Sequence, residues 1–195
     1  LHGKTAHAAE PEKGDNPALA MAEITQEALK LTVPDPGHPQ FRLVTPVYAH
    51  LGEKAYGVSA GFGEVHFTLR TFDNGLMEGL NQELCDLTER IAKKYKLRPE
   101  IGYTESFDAN ENDPSCTERV KQVALKAGLA VTDKKEPFKW GEDFGVFSSR
   151  YPGCMFGIGA GEDLPALHNP DYDFPDALLE TGITVFNEII TAYHR

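Results

Sequence analysis

The sequence is short of cysteine, of positive charge and of long apolar runs. Its three cysteines, Cys85, Cys116 and Cys154, stand far apart and form no C-x-x-C pair. That spacing disfavours a disulfide framework or a zinc finger and favours a reducing, cytoplasmic compartment. A balance of 19 Lys and Arg against 30 Asp and Glu gives a net charge of −11, which repels nucleic acid and anionic membranes. No apolar run approaches the length of a transmembrane helix, so we expect no nucleic-acid partner and no membrane partner.

A phosphate-binding loop is also missing, although the tripeptide Gly3-Lys4-Thr5 resembles the end of one. A P-loop requires a glycine five residues before the Gly-Lys-Thr, and a helix directly after it whose backbone N–H groups cradle the phosphates. Only Leu1 and His2 precede Gly3, and Pro11 and Gly14 would break such a helix within two turns. Nucleotide binding is therefore disfavoured, and His7 remains to be explained.

Residues 1–107 do carry a clear pattern of strands and helices in the order β-α-β-β-α-β. Helical spacing of apolar residues predicts helices near residues 15–31 and 76–96, and alternation predicts strands near residues 1–6, 41–51, 56–72 and 98–107. Pro46 favours an edge position for the second strand, because proline cannot donate to a sheet ladder. This order is that of the ferredoxin-like split βαβ fold.

Residues 108–195 predict an α/β layer that is too short to be complete. Asp113 and Pro114 predict the start of a helix, and Gly128 predicts its end. Short strands are predicted in AVTD and CMFGIGA, with helices around EDFGVFSSR and over PDALLETGITVFNEIITAYHR. These strands are too few for a sheet that is covered on both faces, and the chain begins without Met. We therefore expect a fragment whose domain is completed by a missing upstream segment.

Taken singly, the candidate functional residues leave alternatives open. His168 follows a Gly-rich strand end, where α/β enzymes place ligands and catalytic groups, yet a surface histidine in a turn is equally typical. His7 in a polar loop and Arg70 on the polar face of a strand are more typical of solvated or ion-paired side chains. Glu142 and Asp143, close to the only tryptophan, are most typical of a helix start, where acids complement the helix dipole.

Three stretches, in order along the chain, carry a more specific pattern. GKTAHAAEPEKGDNPALA follows the pattern G-[KR]-x-x-H-A-A-x-P-x-x-G-x-[DN]-P, and EVHFTLRTF contains T-[VIL]-R-[TA]. The pattern S-E-D-F is matched by WGEDFGVF, with Gly141 in place of the usual serine. The patterns l-G-x-G and L-H-[SN]-P…F are matched by FGIGAG and LHNPDYDFPDALL. The ordered set resembles the M20 metallopeptidases and amidohydrolases, the family of aminoacylases and hippurate hydrolases.

The resemblance implies a fold of α/β and α+β character in two parts. Residues 1–107 match a ferredoxin-like lid domain through which family members dimerise, and residues 108–195 match the C-terminal part of a zinc-aminopeptidase-like α/β catalytic domain. A homodimer through the lid is therefore expected. Many members carry an asparagine that contacts the substrate at the position of Gly57. Glycine has no side chain to make that contact, so it is not expected here.

The resemblance also implies roles for single residues. The histidine of the closing L-H-[SN]-P motif, here His168, is a metal ligand in the family. The histidine of A-H-A-A, here His7, reaches from the lid into the partner subunit's active site as a catalytic group. The lid arginine, here Arg70, is placed to bind a substrate carboxylate, since guanidinium binds carboxylate in a fork.

Four further residues and the cofactor follow from the same resemblance. The backbone at Gly159 and Gly161 is expected to contact the substrate's carboxylate end, because no side chain crowds it. Glu142 and Asp143 are expected to support the metal ligands from behind, or to cap a helix, rather than to bind metal themselves. The intact site holds two divalent metal ions, for which zinc is expected and manganese, cobalt or nickel are alternatives.

The chain departs from the family pattern in what it lacks. Absent are the upstream metal-binding motifs, the Glu-Glu pair with the general base and the Gly-[IL]-His ligand. A catalytic zinc needs about three protein ligands, and the chain offers one that matches. We expect it to be an inactive part of a metal-dependent amidohydrolase or peptidase that cleaves the amide bond of N-acyl amino acids or small peptides. The alternative is a non-catalytic dimerisation or peptide-binding module.

Overall fold

The chain folds as two mixed α and β units in the computed structural model, which describes residues 1–193. The first unit consists of residues 1–109 together with residues 136–141, and the second consists of residues 110–135 and the chain from residue 142 onward. Residues 136–141 therefore belong to the first unit, although they follow residues 110–135 of the second unit in the chain. The mixed α and β content expected from the sequence is confirmed.

Antiparallel strand pairs form the β part of the first unit. The long pair joins β2 (Arg42–Leu51) to β4 (Gly63–Thr71), and the short pair joins β1 (Ala6–His7) to β3 (Val58–Ser59). Val65, Phe67 and Leu69 of β4 pack against the core, as their alternation predicted. Among the described residues no other strand pairs with β2, although its first residue, Arg42, makes an isolated bridge to Val33. The register of β2 shifts between Pro46 and Tyr48. The edge position predicted from Pro46 is thus confirmed.

The strands predicted at residues 1–6 and 98–107 are largely absent, and this corrects the sequence-based expectation. His2 makes isolated antiparallel bridges to Phe62 on one side and to Arg98 on the other. The bridge to Arg98 uses two backbone hydrogen bonds of 2.8 Å, but no strand continues from it. Pro99 follows directly and has no N–H to donate, so the ladder stops where it begins.

Two helices cover the sheet and build the core of the first unit. Helix α1 (Ala18–Leu29) begins where the Asn16 side chain accepts the Ala18 N–H, and α2 (Asn74–Lys94) begins where the Asp73 carboxylate accepts the Leu76 N–H. Their apolar faces meet the strands in one cluster, which includes Ala20, Ile24, Ala28, Val44, Leu80, Leu87 and Ile91. Burial of these side chains supplies most of the stability of the unit.

An ion pair with an added hydroxyl ties the two helices at their surface. The Lys94 ammonium contacts both carboxylate oxygens of Glu23, at 2.9 and 2.7 Å, and the Tyr95 hydroxyl donates to the same carboxylate at 2.7 Å. The hydrogen bond from Lys94, and then that from Tyr95, lowers the pKa of Glu23. The Lys94 side chain is exposed, so water screens the pair and its contribution to the stability of the fold is small.

Truncation of the core should show how strongly the first unit depends on it. Leu80 is fully buried, so we expect Leu80→Ala to lower the free energy of unfolding by about 2–5 kcal/mol through lost burial and the cavity left behind. The matched control is Leu19→Ala on α1, because Leu19 is 68% exposed and its truncation should change stability by less than about 0.5 kcal/mol. Equal losses for the two variants in urea unfolding would contradict this packing.

The second unit is helical among the described residues. Its helices are α3 (Pro114–Lys126), the single turn α4 (Gly145–Ser148) and α5 (Ala177–Tyr193), and α3 packs against α5. The predicted capping of α3 is confirmed. The Asp113 carboxylate accepts the Cys116 N–H, and Gly128 follows the helix end with a φ of 77°. The last two residues of the predicted final helix, His194 and Arg195, lie outside the described residues.

The strands predicted in AVTD and CMFGIGA are not formed. No strand occurs in the described part of the second unit, and residues 153–160 run without a pairing strand. A strand is stabilised by hydrogen bonds to a neighbour, and no second extended segment of this unit pairs with this one. None of the helices within residues 1–193 is long and apolar enough to cross a membrane.

Candidate functional site

His7 lies in the short strand β1, with an exposed side chain. Its backbone pairs with Val58 of β3, and its ring atom Nδ1 accepts a hydrogen bond from the Ala9 N–H at 3.1 Å. In the neutral ring an accepting Nδ1 places the proton on Nε2. In this form His7 presents its single ring N–H donor at Nε2.

Close backbone packing holds the segment that carries His7. The Ala8 N–H donates to the Gly57 carbonyl at 3.0 Å, and the Gly3 N–H donates to the Gly61 carbonyl at 2.7 Å. A Cβ at Gly61 would lie 2.5 Å from the Thr5 nitrogen, which no side chain can occupy. The position of His7 thus depends on a backbone approach that needs glycine at residue 61.

Arg70 lies on β4 opposite Leu43, and its guanidinium is partly engaged. Nη1 donates to the backbone carbonyl of Lys139 at 3.0 Å. Lys139 belongs to residues 136–141, the segment that returns to the first unit, and its ammonium lies 5.9 Å from the ring centroid of Phe41. A guanidinium has five N–H donors, and this bond uses one of them.

The returning segment is itself ordered by aromatic stacking. The rings of Phe138 and Trp140 stack with centroids 4.4 Å apart and an interplanar angle of 11°. Gly141 lies beside Phe107, and a Cβ at this position would stand 3.4 Å from that ring and 3.6 Å from Nη1 of Arg70. No sequence pattern predicts the hydrogen bond from Arg70 to Lys139, because the two residues are 69 positions apart.

His168 lies in the second unit in an unusual backbone conformation. Its φ of 72° is in the left-handed region, where non-glycine residues are uncommon and histidine is among the less disfavoured. The turn is closed by a hydrogen bond from the Asn169 N–H to the Ala166 carbonyl at 3.0 Å, and the histidine side chain is exposed. The backbone thus projects His168 outward from the loop.

The other residues expected near the site also lie in the second unit. Gly159 is exposed, with no atom within 4 Å of the position of a Cβ, and Gly161 has a φ of 112° that favours glycine. Glu142 and Asp143 precede α4, but the helix cap is Phe144 and no side chain makes a capping hydrogen bond there. Glu142 and Asp143 thus lie directly before a helix, as expected for acids at a helix start, and they make no capping hydrogen bond to it.

The described residues do not bring a complete metal site together. No group of three or more His, Cys, Asp or Glu within residues 1–193 is arranged to hold a metal ion. A single histidine does not meet the ligand number of zinc. The structure thus places His7 and Arg70 in the first unit, and His168, Gly159, Gly161, Glu142 and Asp143 in the second.

Known proteins with similar sequences belong to one family of hydrolases. The sequence profile described as peptidase family M20/M25/M40 matches residues 8–192. An N-acetyldiaminopimelate deacetylase from Limosilactobacillus fermentum is 27% identical over 197 residues, which cover 97% of this chain and 49% of that protein. An uncharacterised hydrolase of Staphylococcus saprophyticus is 22% identical and is covered over 51% of its length. The chain spans about half the length of the curated relatives it matches.

Solved structures agree with these sequence matches at the level of the fold. A putative aminohydrolase from methicillin-resistant Staphylococcus aureus superposes with a TM-score of 0.73 at 21% identity, covering 97% of this chain and 48% of that one. A dinuclear metal-binding peptidase of family M20 from Bacillus subtilis superposes with a TM-score of 0.66 at 19% identity, covering 89% and 45% of the two chains.

Proposed function

The chain belongs to peptidase family M20/M25/M40, and on that premise we propose that it forms the lid and the C-terminal catalytic segment of a metal-dependent amidohydrolase. The proposed reaction is cleavage of the amide bond in an N-acyl amino acid or a small peptide. The observation that carries the proposal is the family match over residues 8–192. That match includes the motifs in which Arg70 and His168 stand, and it begins directly after His7, within the first motif.

We assign residues 1–107 to the lid and residues 108–195 to the catalytic segment, although residues 136–141 belong to the first compact unit. The backbone pairing supports a ferredoxin-like lid. Arg98 bridges to His2, His2 bridges to Phe62, and β4, which follows directly, pairs with β2. The segments at Arg98, His2, β4 and β2 correspond to the fourth, first, third and second strands of the predicted β-α-β-β-α-β order. Each segment is antiparallel to its neighbour. This is the arrangement expected for a β-α-β-β-α-β unit whose outer pairing is reduced to single bridges.

The exposed edge of β2 supports a homodimer through the lid. Along this edge Val47 is 59% exposed and Tyr48 is 49% exposed, and β2 has no second strand neighbour among the described residues. An uncovered edge strand is a template for pairing with another copy. The same edge would serve the second candidate function, a non-catalytic dimerisation or peptide-binding module, which predicts dimers without any hydrolytic role.

In the proposed enzyme His7 acts as the donor that stabilises the developing oxyanion of the scissile carbonyl. Its Nδ1 is held by the Ala9 N–H, so Nε2 carries the proton of the neutral ring. A hydrogen-bond donor that is already held in place needs little reorganisation when negative charge develops on the carbonyl oxygen. It therefore stabilises the transition state effectively. Because His7 belongs to the lid, we propose that it serves the active site of the partner subunit.

Arg70 and the two glycines are proposed to bind the carboxylate end of the substrate. The hydrogen bond from Arg70 to the Lys139 carbonyl orients the guanidinium and leaves other N–H donors for a carboxylate oxygen. Gly159 and Gly161 expose backbone that a substrate can approach closely. Glu142 and Asp143 are proposed to support the metal ligands from behind rather than to bind metal themselves.

His168 is proposed as one ligand of a pair of divalent metal ions. The described residues of this chain do not hold such a metal by themselves, so the other ligands and the general base must come from polypeptide that the relatives have and this chain does not. A related structure is of a dinuclear metal-binding peptidase, which supports a two-metal site. Zinc suits histidine ligands, and manganese, cobalt or nickel are alternatives.

An N-acetylated amino acid is the first substrate class to test, because several relatives are N-acetyldiaminopimelate deacetylases. The 195 residues can be joined to the stretch of the Limosilactobacillus fermentum deacetylase that its match leaves uncovered. We call this protein the completed chimera. It should hydrolyse N-acetyl amino acids with Zn²⁺, Mn²⁺ or Co²⁺ present and lose that activity with chelator. A chimera that unfolds cooperatively yet shows no metal-dependent hydrolysis would contradict the proposal.

The 195-residue chain alone should be inactive under the same conditions. One proposed ligand and no general base cannot lower the pKa of a metal-bound water and take its proton. We therefore expect no release of acetate from N-acetyl amino acids above the rate of a His168→Ala control, measured with each metal in turn. Turnover by the purified chain that exceeds this control would mean that the site lies elsewhere in these residues.

A further inference from the structure

Arg70 is a partly buried cation without an acidic partner in its own chain. Alternation along β4 places it on the face opposite the core residues Phe67 and Leu69. Its side chain is partly withdrawn from water, and within residues 1–193 no carboxylate forms an ion pair with it. A guanidinium that loses water is usually paired with an anion. The environment of Arg70 therefore favours an anion supplied from outside the chain.

A small open space lies beside this guanidinium, at Gly141. A Cβ placed on Gly141 would stand 3.6 Å from Nη1 of Arg70 and 3.4 Å from the ring of Phe107. Both are ordinary van der Waals distances, so the space is free, with the guanidinium on one side and an aromatic ring on the other. We call this space the Gly141 slot. Its three residues all belong to the first unit.

Aromatic side chains extend the apolar wall of the Gly141 slot. Trp140 directly precedes Gly141 and is 58% exposed, and Phe107 is 43% exposed. The indole of Trp140 is held by its stack on Phe138, in which the two rings are 11° from parallel. Small-molecule sites typically combine such apolar walls with a few polar groups that fix the orientation of the ligand.

The unused donors of Arg70 determine which polar group the Gly141 slot can bind. Nη1 donates to the Lys139 carbonyl at 3.0 Å, which uses one of the five N–H donors of the guanidinium. A carboxylate can accept two parallel hydrogen bonds from such a group. An apolar side chain on the carbon next to that carboxylate would then lie within reach of the Phe107 ring.

We infer that the Gly141 slot is the specificity pocket for the amino-acid part of the substrate, and that it selects N-acyl amino acids with an aromatic side chain. The substrate carboxylate pairs with Arg70, and its ring packs against Phe107 and beside Trp140. A charged side chain would lose water in this slot without gaining a partner. The preference therefore differs from that implied by the names of the N-acetyldiaminopimelate deacetylase relatives. This inference rests on the proposed function, of which it names the substrate class.

The test measures ligand binding by the 195-residue chain alone, because the Gly141 slot lies entirely within it. Trp140 is the only tryptophan of the chain, so its fluorescence reports on the slot. Three ligands are titrated into the millimolar range without added metal. They are N-acetyl-phenylalanine, N-acetyl-alanine, which lacks the ring, and N-acetyl-phenylalaninamide, which lacks the carboxylate.

N-acetyl-phenylalanine should change the Trp140 fluorescence saturably. We expect the affinity for N-acetyl-alanine to be lower by about threefold or more, the effect of losing one aromatic contact. The affinity for the amide should be lower by about tenfold or more, the effect of losing hydrogen bonds to a charged group. No saturable change with N-acetyl-phenylalanine, or equal affinity for either comparison ligand, would overturn the inference.

Two alanine variants test whether the ligand occupies the Gly141 slot. Gly141→Ala fills the slot with a methyl group, and Gly102→Ala is the matched control, because a Cβ there meets no atom within 4 Å. Neither glycine has a φ in the left-handed region, so alanine strains neither backbone. Gly141→Ala should weaken binding of N-acetyl-phenylalanine by about threefold or more, and Gly102→Ala should leave it unchanged. Equal effects of the two variants would place the ligand elsewhere.

The completed chimera separates this inference from the proposed reaction. Its kcat/KM should be higher for N-acetyl-phenylalanine than for N-acetyldiaminopimelate, and Gly141→Ala, but not Gly102→Ala, should reduce this preference. Hydrolysis without the preference would support the reaction and overturn the inference. Selective binding by the chain alone, together with a folded chimera that hydrolyses neither substrate, would support the Gly141 slot and contradict the reaction.

Discussion

Replacing His168 with alanine in the completed chimera is expected to release one of the two proposed metal ions and to lower kcat by more than about a hundredfold. Loss of a residue that merely orients a metal ligand costs up to about a hundredfold, so loss of a ligand itself should cost more. The metal content is measured by elemental analysis after gel filtration, and kcat is measured on an N-acetyl amino acid. The KM should change much less, because Arg70 and the glycine backbone are left in place.

The backbone at His168 requires a control, because its φ of 72° disfavours alanine. His168→Gly removes the ring and relieves this backbone strain, so it separates a folding effect from a ligand effect. If His168 is a ligand, the glycine and alanine variants should lose the same amount of metal, although the glycine variant should be the more stable. A His168→Gly chimera with two metal ions per subunit would remove His168 from the ligand set.

Replacing His7 with alanine should lower kcat of the completed chimera by about a hundredfold while the metal content stays intact. This is the effect of losing one donor to an oxyanion. His7→Gln is the conservative variant, since its amide can still donate a hydrogen bond, and it should recover part of the loss. If His7→Ala and His7→Gln lost the same activity, or if either lost metal, the donor role would be contradicted.

A mixing experiment tests whether His7 acts across the subunit interface. A His7→Ala subunit keeps His168, the proposed metal ligand, and a His168→Ala subunit keeps His7, the proposed oxyanion donor. In a heterodimer of the two, one active site combines the intact metal site of the first with the His7 of the second. Mixing should therefore restore measurable activity once subunit exchange is confirmed by mass. No recovery after confirmed exchange would show that His7 acts within its own chain or has no catalytic role.

Local rules were sufficient for most helices and for the long strand pair β2 and β4. The alternation of Val65, Phe67 and Leu69 placed these side chains on the core face of β4, because a strand turns successive side chains to opposite faces. Asp113 caps α3 and Gly128 ends it, because both depend on backbone groups within a few residues. The resemblance to M20 hydrolases, which also rests on short ordered motifs, is confirmed by the family match over residues 8–192.

Long-range pairing was not contained in those local patterns. Residues 98–107 have a strand-like composition, yet pairing stops after Arg98 because Pro99 has no N–H. Residues 154–160 have the composition of a buried strand and form none, because a strand requires a neighbour. In the candidate site, too, local motifs indicated the residues but not their long-range contacts. The motifs indicated His7, Arg70 and His168, but nothing in the sequence indicated that Arg70 would hold the Lys139 carbonyl.

The sequence by itself determined the family, the helices and the residue types available for catalysis, because these depend on motifs and on contacts within a few residues. Only the tertiary structure decided that residues 136–141 return to the first unit and that the space beside Gly141 lies between Arg70 and Phe107. It also decided which ring nitrogen of His7 is free to donate. These features depend on which distant backbone and side-chain groups meet, and such meetings follow from the packing of whole elements rather than from local residue order.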